Sequence, residues 1–270
     1  MPRSMRRLAG LLALTASVPA TAQLEREPPA PDREELMTAL CETPANDGTC
    51  MRGGRELTYW LAFDTTVAGQ KWYTAIATAQ AQPSSESGGA RYFAPGEMLS
   101  LSQVTYVLEK GRWTFKARQI DFGSIESSGA AGNPPMVDEA AAPFRQNLGD
   151  GTLVGYPTRT LANEGISMSA YSMFRSQPDM SGRWIYAGDI ASGSDNGAGC
   201  NQDEAPETCY ASTGVLDLTG KTVAGWPEVK VSVSGRVPGA NGKVRNASKA
   251  DGALWRFDVA KAAYSNAKAR

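Results

Sequence analysis

From Glu56 onward apolar side chains return at every second position, and that period constrains the fold more tightly than any other feature of the chain. Leu57, Tyr59, Leu61 and Phe63 alternate with Thr58, Trp60 and Ala62. Trp113, Phe115 and Ala117 alternate with Thr114, Lys116 and Arg118, and Val229, Val231 and Val233 with Lys230, Ser232 and Ser234. Trp255, Phe257 and Val259 alternate with Arg256 and Asp258. Successive side chains of a strand point to opposite faces, so each segment predicts a strand with one buried face. Further strands are expected over 71–82, 104–108, 166–174, 183–190 and 214–218, with Glu109-Lys110-Gly111-Arg112 as a hairpin turn.

No long helical pattern separates these segments. The expected fold is therefore all-β, mainly an antiparallel sandwich or small barrel rather than a parallel α/β sheet. Helix is expected only at the ends. Near the start, Asp32 is placed to cap a short helix with Glu35 three residues on, and Leu36 and Leu40 share its buried face. The Ala-rich tail from Ala260 is the candidate for a C-terminal helix. Ser124 to Pro135 reads as a long loop and Asp138 to Gln146 as a short helix, so residues 55–270 form one β-rich unit or two subdomains split near 124–150.

The first 22 residues carry a different signal. Arg3, Arg6 and Arg7 precede an uncharged apolar run from Leu8 to Val18, and Ala20-Thr21-Ala22 supplies small residues before a cut ahead of Gln23. That order is the pattern of a cleavable secretory signal peptide. The run is well short of the roughly 20 residues that span a bilayer, so no transmembrane anchor is expected. The mature chain would be periplasmic or secreted, beginning with a Pro-rich lead, the short helix and a first Cys loop over 23–54.

Four cysteines agree with an oxidising compartment. Cys41 and Cys50, and Cys200 and Cys209, enclose eight residues each, and both loops hold Pro and polar turn formers. Local pairing is expected, and closing such a loop stabilises a fold by about 2.5–3 kcal/mol on the chain-entropy model. Zinc is the poorer reading, because the spacing is long and the chain has no His.

The missing His also removes the imidazole of Ser-His-Asp and Cys-His hydrolases. Thr219-Gly220-Lys221-Thr222 imitates the end of a phosphate-binding loop, but the upstream Gly214 stands one residue too far away. Removing the signal takes away three Arg and no acid, leaving 24 basic against 28 acidic residues. That balance argues against a general nucleic-acid binder.

Three local features remain as candidate sites. Trp184 to Gly220 has no Lys or Arg and a net charge of −6, so Asp189, Asp195, Asn196, Asp203 and Glu204 are candidates for a cation site. Calcium is the cation such oxygens suit, although no calcium-loop spacing is present and no cofactor is required. Asp189 and Asp195 are also the first carboxylate pair to consider for hydrolysis, which needs the two groups about 5–5.5 Å or about 6.5–9.5 Å apart. The section from Lys221 to Arg270 is net +7, with Arg236, Lys243, Arg245 and Lys249 as a candidate basic patch. Trp226, in Ala224-Gly225-Trp226-Pro227, is the best candidate for an exposed ring that stacks on a ligand.

The functional expectation is an exported, non-catalytic binding or structural module whose partner is an envelope polymer or another exported protein. The alternatives are a carboxylate-dependent hydrolase of such a polymer and a calcium-dependent adhesion or assembly factor.

Overall fold

A computed structural model describes residues 27–79, 85–87, 90–92, 97–128, 132–161, 165–200, 208–239 and 243–267. The signal segment, Asp203 and Glu204 lie outside these residues. Helix α1 (Arg33–Cys41) opens the described chain, with the Asp32 carboxylate accepting from the Glu35 amide at 2.8 Å. Glu35 does not complete a capping box, since its carboxylate meets the Tyr106 hydroxyl instead.

Seventeen strands follow among the described residues. Sheet I holds β1 (Thr49–Arg52), β2 (Arg55–Val67) and β3 (Gln70–Ala79); after a small hairpin of β4 (Ser85–Ser87) and β5 (Ala90–Tyr92) it adds β6 (Met98–Glu109) and β7 (Arg112–Glu126). Sheet II comprises β8 (Met136–Val137), β9 (Phe144–Asn147), β10 (Thr152–Leu161), β11 (Ser167–Ser176) and β12 (Trp184–Asp195). Sheet III comprises β13 (Ser212–Val223), β14 (Trp226–Pro238), β15 (Val244–Asn246), β16 (Ala253–Asp258) and β17 (Ala263–Asn266). Among the described residues every pairing is antiparallel, and the fold is all-β with one short α-helix near the start. Four hairpins close on two-residue turns at 53–54, 68–69, 110–111 and 224–225, with both central residues at positive φ. This turn matches the right-handed twist of paired strands, and a glycine in second place lowers its cost.

Sheet II is the middle layer. Val154, Phe174 and Trp184 face sheet I and join Trp60, Leu61, Phe63, Trp72, Ile76 and Leu101 in one core. Their neighbours Leu153, Met173 and Ala187 face sheet III and pack with Leu216, Trp226, Val229 and Phe257. The outer face of sheet I is covered by α1, where Leu36, Met37 and Leu40 meet Leu57, Ala75, Ala77, Val104 and Tyr106. Small side chains at 75, 77 and 79 let the helix lie close to the sheet.

A buried hydrogen-bond relay joins sheets I and II. Trp184 Nε1 donates to Thr74 Oγ1 at 3.0 Å, Thr74 and Thr105 share a bond of 2.9 Å, and Thr105 donates to Gln103 Oε1 at 2.7 Å. Gln103 Nε2 then donates to Gln119 Oε1, which also accepts the Trp184 amide at 2.7 Å. Because Thr105 spends its proton on Gln103, Thr74 must be the donor between the two threonines.

Sheets II and III are pinned by Arg175, 6% exposed. It makes two bonds of 2.9 Å to Asp150, donates to the Gly225 carbonyl at 2.9 Å and lies 4.7 Å from the Trp226 ring centre.

Several expectations need correction. Leu57 and Tyr59 face the helix while Leu61 and Phe63 face sheet II, because a bulge between Tyr59 and Leu61 shifts the register by one residue. Phe115 is 47% exposed, since β7 is an edge strand and its apolar set faces the helix side, beyond the reach of α1. Residues 138–146 form a turn and β9, with Ala141 bonded to Asp138, rather than a helix. The tail makes a turn and β17 instead of a C-terminal helix, because Ala263–Asn266 completes the ladder offered by β16.

β12 runs on to Asp195, five residues past the strand expected over 183–190. Both cysteine pairs are local disulfides, with Cα separations of 6.1 Å for Cys41–Cys50 and 5.5 Å for Cys200–Cys209. No helix among the described residues is long and apolar enough to cross a membrane.

Thr74→Val keeps the volume but leaves the Trp184 N–H without its acceptor. It should lower unfolding stability by about 1–3 kcal/mol. Phe115→Thr, at an exposed edge, should change it by no more than about 0.5 kcal/mol. Urea midpoints measured side by side check both, and equal effects would remove the special role of the relay.

Candidate functional site

The three sheets meet at a cleft of about 600 Å³. Sheet I contributes Met98 and Phe122 to Glu126, sheet II contributes Thr160, Ile185, Tyr186 and Asp189, and the turn between β16 and β17 contributes Lys261 to Ala263. Two glycines make this convergence feasible. A Cβ on Gly123 would stand 2.9 Å from Tyr186 Cβ, and Gly188, at φ +79°, lies so near β17 that a Cβ would come 3.0 Å from Ala263.

Asp189 is the chemical centre. Tyr186 donates to its Oδ1 at 2.8 Å, and Ser172 on the adjacent strand gives it a second hydroxyl. Its carboxyl is largely withdrawn from water, and burial raises its pKa above the usual value despite the two hydroxyls, with the negative charge of Glu126 adding to the rise. Burial also pushes the Tyr186 hydroxyl well above its ordinary value, helped by the charge of Asp189. Glu126 and Lys261 stand exposed at the rim.

A bulge builds this arrangement. Between the pairs Ser172↔Asp189 and Phe174↔Tyr186, β11 advances two residues while β12 uses three. The extra residue turns Tyr186 and Asp189 to the same side, where simple alternation would separate them. A second bulge, at Ser192, acts in the opposite sense on Asp195. Asp189 pairs with Ser172 on the sheet I side, but Asp195 pairs with Ser167 on the sheet III side. The Asp189–Asp195 pair is therefore not assembled in one cleft, and Glu126 is the carboxylate that shares the cleft with Asp189.

The two other described candidates, Asp195 and Asn196, serve the local fold. Asp195 accepts from Ser167 Oγ at 2.9 Å and from the Gly197 amide at 3.2 Å, with Arg159 at 4.0 Å. Asn196 accepts from the Tyr210 amide at 2.8 Å and donates to the Thr208 carbonyl at 3.0 Å, tying the second disulfide loop to the end of β12. Among the described residues no group of three or more His, Cys, Asp or Glu is arranged to hold a metal ion.

Trp226 is not an exposed platform. It is 7% exposed, stacked on Phe257 at 4.0 Å with Arg175 beside the ring. The tight turn at Ala224-Gly225 folds it inward at the start of β14. The basic residues surround the β14–β15 hairpin but do not form one face. Arg236 pairs with Asn246 and Val237 with Arg245, so Arg236 and Arg245 point to opposite sides. Arg245 is held by two bonds to Asp251, Lys249 lies in the short turn capped by Ser248, and the Lys243 carbonyl accepts from the Gly239 amide.

A larger cleft of about 750 Å³ runs along β16 and β17. Its buried titratable group, Tyr264, already gives its hydroxyl to the Pro227 carbonyl at 2.9 Å, so the three-sheet cleft is the better candidate. No family model, curated protein or solved structure matches this chain.

The raised carboxyl of Asp189 has a sign that can be measured. In the native state it holds its proton to a higher pH than in the unfolded chain, so its contribution weakens stability as pH rises from about 4 through the native value, then stays constant. Asp189→Asn retains an acceptor for both hydroxyls and removes this slope. The difference in urea midpoint between variant and wild type should therefore grow in the variant's favour from pH 3.5 to 7. A constant difference would contradict the raised value.

Proposed function

We propose that this chain is an exported, non-catalytic binding module of the cell envelope or secreted fraction, and that the three-sheet cleft is its ligand site. The observation that carries this reading is the convergence of Asp189, Tyr186, Thr160 and Ser124 with apolar walls from Phe122 and Ile185 in one cleft. Small-ligand sites commonly occupy about 300–1,000 Å³ and combine apolar walls with a few polar groups. Two disulfides and the N-terminal export pattern support work in an oxidising compartment.

A second reading follows from Glu126 and Asp189 sharing that cleft. A carboxyl with raised pKa beside another carboxylate is the pairing a polymer hydrolase uses as acid and base. The calcium-dependent reading has less support, because Asp195 and Asn196 are committed to the strand end and the disulfide loop.

Thermal unfolding of the oxidised protein with envelope polysaccharides, calcium and chelator tests these readings together. A ligand at 100 times its Kd adds about 2.7 kcal/mol. For a domain of this size that raises Tm by roughly 5–10 °C. The expected result is a shift with a saccharide, lost in Asp189→Asn, and none with calcium. Sustained release of reducing ends from that saccharide, abolished by Glu126→Gln, would replace binding with hydrolysis.

A further inference from the structure

The cleft has an unbalanced set of hydrogen-bonding groups. Among the described residues Asp189 accepts hydrogen bonds from the hydroxyls of Tyr186 and Ser172, and the further charge acting on it is the negative one of Glu126. Buried carboxylates are ordinarily paired with a cation, because an unpaired charge is costly to withdraw from water. Among the described residues the inner wall supplies none. Lys261 belongs to an exposed turn at the rim, where water and salt screen it. The Tyr186 proton is already committed to Asp189, so the phenol oxygen offers the cleft acceptor capacity. Phe122 and Tyr186 add two aromatic rings to the walls, and such rings attract cations through their faces. Acceptors and aromatic faces dominate where donors would be needed for an anion.

We propose that the cleft takes a hydroxylated primary amine of the amino-sugar class, with its ammonium group donating to Asp189 and its ring hydroxyls meeting Thr160 and Ser124. This rests on the reading of the cleft as a ligand site and adds the class of ligand. An ammonium group would be the missing partner of the buried carboxylate, and Glu126 at the rim would draw it inward. A carboxylated or phosphorylated sugar would meet two carboxyls in the same space and is disfavoured. A neutral sugar would use the hydroxyls alone and leave Asp189 without a cation.

Calorimetric titration of the oxidised full chain with glucosamine, N-acetylglucosamine and glucose is the test. Acetylation removes the charge while keeping the ring, so these probes separate the ammonium from the sugar. Glucosamine should bind at least tenfold more tightly than the other two. Asp189→Asn, checked for folding by its unfolding transition, should erase that preference, bringing glucosamine affinity down to that of glucose. Should Asp189→Asn fail to fold, Glu126→Gln should still weaken glucosamine several-fold relative to glucose. Equal or tighter binding of the neutral sugars would overturn the amine inference while the ligand site stands. Binding of none of the three would overturn the inference, and absence of any polysaccharide shift as well would remove the site itself. An amine preference unchanged in both variants would also overturn it, by placing the amine elsewhere.

Discussion

The relay from Trp184 through Thr74, Thr105 and Gln103 to Gln119 is the interaction on which the architecture depends. Thr74, Thr105 and Gln103 are fully buried, so each polar atom left without a partner would cost about 1–3 kcal/mol. Apolar contacts between two sheets tolerate a slip of position, whereas a directional relay does not. It is satisfied only when β12 lies over the β3–β6 pair with Trp184 opposite Thr74. The aromatic cluster of Phe63, Phe174, Trp72 and Trp184 lies within the core between the two sheets, and the relay selects the one register in which those rings meet.

With sheet II located, other contacts define its surroundings. Arg175 carries the alignment outward to sheet III through Asp150, Gly225 and Trp226. On the opposite side, Arg52 and Arg118 donate to the last carbonyls of α1 at 3.0 and 3.1 Å and both reach Glu42, the left-handed residue that ends the helix. These guanidinium groups satisfy carbonyls that a helix end otherwise leaves unpaired and complement its negative end. Their charges hold the Glu42 carboxyl below its usual range. The first disulfide joins the same helix end to β1. Helix and sheets are thus tied at polar points around apolar layers.

The cleft is a consequence of two irregularities in one strand. Without the bulge at Gly188, Tyr186 and Asp189 would face opposite sides, and β17 could not approach β12 as closely as it does. Without the bulge at Ser192, Asp195 would return to the sheet I side. A regular β12 would therefore have put the two aspartates on one face, as their separation of six residues suggests, and left the tyrosine behind. Function, on the reading proposed here, lies where the ladder departs from regularity, and the proposed ligand completes a charge that the fold leaves unpaired.

The amino-acid sequence alone determined the class of fold. Alternation at positions such as 229–233 and 255–259, X-Gly turns at 110–111 and 224–225, the Asp32 cap and two short Cys spacings are local features with local causes, and each specifies its own element. The same reasoning did not find β10, where Gly155 and Pro157 disguise a central strand. Pro157 is tolerated there because it falls between the paired stretches of β9 and β8, where its missing N–H owes no ladder bond to either, while its carbonyl accepts from the Asp138 amide. Nor did it find Glu126, Thr160, Tyr186 or Lys261, though a Gly188 inside a strand pattern is a recognised sign of a bulge. Which face a side chain takes after a bulge, whether Trp226 is covered, and which carboxylate stands near Asp189 depend on partners 12 to 63 residues away in the chain. Those questions were decided by tertiary structure, because register and burial are properties of a pair of strands and not of one.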